Sequence, residues 1–94
     1  MPATRSVRLI ITGRVQGVGF RDWLAGTARA RDISGWVRNR RDGSVEAVLA
    51  GDAHALQKVL DACRDGPPMA RVENITVGEA ESPPRPGFEI LPTA

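Results

Sequence analysis

Residues 13–21 read GRVQGVGFR, and the way this stretch folds decides what lies on either side of it. Glycines stand at 13, 17 and 19, arginines at 14 and 21, and no carboxylate falls between them. Glycine weakens regular structure through backbone entropy, so it collects where φ must turn positive or where another group must approach the backbone. Immediately before, SVRLIITG (6–13) sets Val7, Leu9 and Ile11 at period two and stops at Gly13, the pattern of a strand. Immediately after, Phe20, Trp23, Leu24, Thr27 and Ala28 share one helical face, predicting a helix from about Arg21 to Arg31. The glycine stretch is therefore a strand-to-helix loop.

Working outward, ISGWVRN (33–39) reads as a second strand, and Asp42-Gly43 inside RRDGSVEAVLA (40–50) is a strong hairpin signal. A third strand then carries Val45, Ala47 and Leu49 on one face. Asp52 is a natural N-cap for a second helix with Leu56, Val59, Leu60 and Cys63 along its stripe, and Gly66-Pro67-Pro68 stops it. ARVENITVGE (70–79) is a fourth strand whose apolar parity shifts between Val72 and Ile75, which predicts a bulge. SPPRPG (82–87) is a loop, and Phe88 and Ile90 mark a short last strand.

The order is βαββαβ plus a short terminal strand. A helix joining two strands of one sheet makes a right-handed crossover, so strands 1 and 2 are expected to be parallel. The hairpin makes strand 3 antiparallel to strand 2. The economical solution is an α+β split βαβ sandwich, a mixed sheet with both helices on one face. With strand 3 between them, the C-terminal ends of strands 1 and 2 lie roughly 10 Å apart on one sheet edge. That brings the glycine loop close to Arg38 and Asn39.

The 94 residues suffice for one domain, expected over 1–94, and there is no repeat, low-complexity segment or long linker. Hydrophobic residues make up 41% and charged residues 26%, too apolar for a disordered chain. Of the 13 basic residues one is a lysine, Lys58, and the rest are arginines, which suit two-pronged binding of oxyanions. A single cysteine, Cys63, excludes an internal disulfide framework. MPATRSVRLIITG is neither a signal peptide nor a membrane span, so a cytoplasmic protein without a membrane partner is expected.

Consecutive amides between a strand and a helix N-terminus form an anion-binding concavity, to which the helix dipole adds partial positive charge. Val15, Gln16, Gly17, Val18, Gly19 and Phe20 offer six such amides, none of them proline. Arg21 adds a guanidinium able to grip two phosphate oxygens. The loop is not a Walker A motif, because no Lys-Ser/Thr pair follows Gly19. Nor is it the dinucleotide fingerprint, since Asp22 stands at the third glycine position. Glycine spacing alone fits a tight βα turn equally well; two flanking arginines without a carboxylate favour the anion.

GRVQGVGFR (13–21) followed by GWVRNRRDGSVE (35–46) resembles the acylphosphatase family across nearly the whole chain. The resemblance implies a ferredoxin-like fold and hydrolysis of the carboxyl–phosphate bond of acyl phosphates. It further implies that Arg21 binds the phosphoryl group, that Asn39 holds the attacking water, and that residues 15–20 form the phosphate cradle. The chain ends FEILPTA, where family members often close on a basic residue. The same loop occurs as a module in larger carbamoyl-transfer maturation proteins; here a free-standing, monomeric enzyme is expected. With no His, Cys or carboxylate cluster at ligand spacing near either motif, no metal or cofactor is expected.

Two other functions use the same elements. A non-catalytic phosphate- or nucleotide-sensing module would share the cradle. An RNA-recognition domain has the same element order but needs aromatics on the central strands. The chain has no Tyr and two Phe, and SVEAVLA offers none, so no nucleic-acid partner is expected. Among the remaining residues, His54 is expected on the surface and Cys63 and Trp23 in the core. Trp36 suits packing more than ligand stacking. Arg38, Arg40 and Arg41 form a solvated basic patch paired with nearby acids that also attracts anions, and Arg14 suits a surface ion pair.

Overall fold

Val7, Leu9 and Ile11 are fully buried on alternate positions of β1 (Thr4–Arg14), and their partners in the core fix the architecture. The computed structural model describes residues 4–83 and 85–94. The elements continue with α1 (Phe20–Ala30), β2 (Ser34–Asn39), β3 (Val45–Asp52), α2 (Ala53–Cys63), β4 (Arg71–Glu79) and β5 (Phe88–Ile90). The sheet runs β4-β1-β3-β2-β5. β3 pairs antiparallel with both β1 and β2, so β1 and β2 are parallel with β3 between them. β5 extends the sheet parallel to β2. This is the ferredoxin-like α+β arrangement expected from the order of elements.

Both helices bury their stripes on one sheet face. Phe20, Leu24, Ala25 and Ala28 of α1 join Leu56, Val59, Leu60 and Cys63 of α2 against Val7, Leu9, Ile11, Val37, Val45, Ala47 and Leu49. Each of the Val, Leu, Ile and Phe side chains among them contributes about 1.5–3 kcal/mol on burial. Asp52 caps α2 as its sequence position implies, its carboxylate accepting from the Ala55 amide at 2.9 Å. Arg29 Nη2 donates to the Phe88 carbonyl at 2.7 Å, pinning β5 under α1.

The expected bulge lies in β4. Thr12 pairs with Asn74 and Gly13 with Val72, leaving Glu73 as the extra residue and accounting for the parity shift. Some local details differ from the sequence pattern. α1 starts at Phe20 rather than Arg21, since the Phe20 side chain is already part of the buried stripe. The β2–β3 turn is wider than Asp42-Gly43, because Arg40 donates its amide to the Ser44 carbonyl at 2.9 Å and encloses three residues. Trp23 is half-buried rather than core, its ring meeting the edge of Phe20 at 5.4 Å from the margin of the cluster. Pro84 of the expected 82–87 loop and residues 1–3 of the N-terminal stretch lie outside the described residues.

The face without helices is not bare. Glu46 is 3% exposed there, accepting from Arg8 Nε at 2.6 Å and from Arg38 Nε at 2.7 Å. Arg38 in turn lies over the Trp36 ring, 4.8 Å from its centroid.

Candidate active site

The register across three strands places the site. Ile11 stands opposite Val45, and Val45 stands opposite Asn39. The end of β1 and the end of β2 therefore share one sheet edge, and the loop that leaves β1 at Arg14 emerges beside Asn39. Val15 and Phe20, each 1% exposed, anchor the two ends of the loop in the core. Between them Gly17 and Gly19 take φ of 72° and 79°. A Cβ at either would meet nothing within 4 Å, so glycine serves the left-handed conformation there, not a shortage of space. Another residue pays roughly 1–2 kcal/mol in that conformation.

The amides of this loop are left available. Among the described residues no backbone carbonyl accepts from residues 15–20. Gly19 is the N-cap of α1 and supplies no side-chain cap, whereas Asp52 fills the same position on α2. Arg21, in the first turn, enters no ion pair among the described residues. The unpartnered amides, the uncapped helix start and the unpaired Arg21 all belong to the N-terminal end of α1, where partial positive charge favours an anion.

A cavity of about 80 Å³ sits at that point, lined by Val15, Gly17, Gly19, Arg21, Asp22 and Asn39, with Phe20 completing the wall. Its volume is that of roughly two to three waters, the scale of a tetrahedral oxyanion. A larger depression of about 560 Å³ lies at the opposite end of the sheet, beside Thr4 and Gly51, and contains no residue of either motif.

Asn39 is held from both sides. It pairs with Val45 in β3, and its carbonyl accepts from the Ala94 amide at 3.0 Å. The Arg41 amide donates to the Ala94 carbonyl at 2.8 Å, and the Leu91 amide donates to Val37 at 2.9 Å. The segment LPTA thus runs on from β5 along the edge of β2 to the turn beside the cavity.

The family model for acylphosphatase matches residues 7–90. The chain belongs to the acylphosphatase family. It is 58% identical over 80 residues to an acylphosphatase of Acidiphilium cryptum, covering 85% of this chain and 88% of that one. It is 50% identical over 91 residues to an acylphosphatase of Azorhizobium caulinodans, covering 96% and 98%. The crystal structure of acylphosphatase from Bacillus subtilis superposes with a TM-score of 0.87 at 40% identity, covering 95% of this chain and 99% of that chain. A full-length HypF superposes with a TM-score of 0.89 at 23% identity over 99% of this chain and 12% of that one, a likeness of fold alone.

Within this acylphosphatase domain the residues singled out by sequence are distributed unevenly. Arg21 and Asn39 line the cavity together with Val15, Gly17, Gly19 and Phe20. Gln16 and Val18 do not line it: Val18 packs against the core, and the Gln16 side chain turns to the β2–β3 turn. Asp22 does line it, a position sequence pattern marks only as an acid in the first turn of a helix. Arg14 is exposed opposite Arg71 and enters no ion pair among the described residues. Of the basic patch, Arg38 pairs with Glu46 at 2.7 Å and Arg40 approaches Asp42 at 3.9 Å. His54 is exposed, and burial pushes the Cys63 thiol up to about 12.

Proposed function

We propose that this acylphosphatase hydrolyses small acyl phosphates by seating the phosphoryl group on the amides of residues 15–20 and on Arg21, while Asn39 directs the attacking water. The observation that supports the reading is the shared cavity: Arg21, Asn39 and the loop residues Val15, Gly17, Gly19 and Phe20 line about 80 Å³, and the loop amides have no backbone acceptor among the described residues.

The chemistry asks little more. A carboxylate leaves without a general acid, so catalysis rests on positioning and on neutralising phosphoryl charge. The Asn39 side-chain oxygen accepts a hydrogen bond from water and fixes its direction, but takes no proton at neutral pH. Water oxygen bonds to phosphorus as the bond to the acyl oxygen breaks, and its electron pair leaves with the carboxylate. The water proton passes to a non-bridging oxygen of the phosphoryl group. The guanidinium and amides hold the equatorial oxygens throughout.

We place this activity in a single domain over 1–94, a cytoplasmic monomer acting on a small molecule without metal or cofactor. No helix of the described residues is long and apolar enough to cross a membrane. The non-catalytic alternative, a phosphate- or nucleotide-sensing module, shares the cradle and is separated by one assay. Purified protein incubated with benzoyl phosphate, with and without EDTA, is expected to release inorganic phosphate at the same rate. A rise in melting temperature with phosphate but no release would support the sensing module instead.

A further inference from the structure

Gln16 does not line the cavity, but its side chain joins the glycine loop to the turn that follows Asn39. Its side-chain Nε2 donates to the Arg40 carbonyl at 2.7 Å and to the Ser44 carbonyl at 2.9 Å. Both hydrogens of the amide are thereby used on the two residues that close the turn following Asn39. Among the described side-chain hydrogen bonds, these two are the ones that join the glycine loop to that turn. The turn has its own internal bonds: Arg40 N to Ser44 O at 2.9 Å, Gly43 N to Arg40 O at 3.1 Å, and Asp42 accepting from Ser44 Oγ at 2.6 Å. Losing the Gln16 amide would leave each part folded and remove the tie between them.

We infer that Gln16 is a positioning residue, a brace that sets Asn39 at its working distance from the seated phosphoryl group; the inference rests on the functional reading above. The Gln16 backbone belongs to the glycine loop, while its side chain reaches the turn that follows Asn39. The anchors of the cradle are elsewhere, in buried Val15 and Phe20 and in the conformations of Gly17 and Gly19. The brace therefore governs the water-directing half of the site and not the anion seat. An in-line attack is sensitive to such placement, since a shift of about 1 Å costs roughly 10²-fold in rate.

A double-mutant cycle tests this, using benzoyl phosphate turnover and competitive inhibition by inorganic phosphate on folded protein. Gln16→Met, similar in length but without donors, is expected to lower kcat about 10- to 100-fold while the inhibition constant for phosphate stays within about twofold. In an Asn39→Ala background the same change is expected to cost less than about threefold, because the group it positions is gone. Gln16→Asn, too short to reach both carbonyls, must show the same pattern and carries the test if methionine is not accommodated. Additive losses, or a phosphate constant that rises in step with the fall in kcat, would overturn the inference. Wild-type turnover in Asn39→Ala alone would sink the functional reading and this inference with it.

Discussion

Arg21 in the first turn of α1 and Asn39 at the end of β2 line the same small cavity, although β3 lies between the strands that lead to them. The parallel relation of β1 and β2 is what makes this possible, because parallel strands deliver their C-terminal ends to one edge. On the proposed reading, phosphate affinity and water placement come from two connections on one edge of the sheet. They are separate contributions and separate experiments.

Asp22 is the acid of that cavity. Near a helix N-terminus a carboxylate stabilises the helix by about 0.3–1 kcal/mol, yet on the proposed reading it also borders the seat of a dianion. Repulsion between exposed charges a few ångström apart is worth about 1 kcal/mol in water. Asp22→Asn is therefore expected to lower the inhibition constant for phosphate by roughly fivefold, with a slightly lower melting temperature. The gain should shrink in high salt. An unchanged constant at low salt would show that Asp22 is not felt at the seat.

The rate should be nearly independent of pH between about 5 and 8, since Asn39 directs water without titrating. His54 cannot substitute as the base. Thr4 pairs with Asp52, next to His54, whereas the loop follows Arg14, and ten residues of strand span roughly 33 Å. Cys63, its thiol pushed up to about 12 by burial, stays protonated throughout this range. His54→Ala is expected to turn over like the wild type. A steep rise governed by a group near pH 6.5, the range of an ordinary imidazole, would contradict the mechanism.

Much of this was legible in local pattern. Period-two and period-3.6 spacing mark the elements, Asp52 declares its helix, and the misplaced parity of Val72 and Ile75 reports the bulge at Glu73. The juxtaposition of loop and Asn39 follows from the parallel crossover together with the hairpin that sets β3 between β1 and β2. The brace does not, because the Gln16 amide finds carbonyls 24 and 28 residues away, and carbonyls carry no sequence signature. Glu46 is equally hidden. Its alternation with Val45 and Ala47 puts it on the helix-free face, but its burial depends on Arg8 and Arg38 closing over it from neighbouring strands.

Those arginines make a stability prediction. Desolvation raises the Glu46 pKa, but hydrogen bonds from Arg38 and Arg8 outweigh it and leave the group below its ordinary 4.5. A carboxyl with a folded pKa below its unfolded one adds stability above the unfolded value. That contribution is lost as pH falls from about 4.5 through the lowered folded pKa. Glu46→Gln should lower stability at pH 7 by about 1 kcal/mol, below the usual range for charged hydrogen bonds because Arg8 is half-exposed. The difference from wild type should vanish in strong acid. Equal denaturant midpoints at pH 7 would show that the cluster adds nothing.

The most direct measurement is kcat/KM for benzoyl phosphate in Arg21→Ala, alongside a melting curve. The charged seat predicts a protein that melts close to the wild type but has lost about 10²–10³ of its efficiency, or ~3–4 kcal/mol of transition-state stabilisation. It also predicts weakened inhibition by phosphate. A folded Arg21→Ala enzyme within a few-fold of wild-type efficiency would contradict the account at its base.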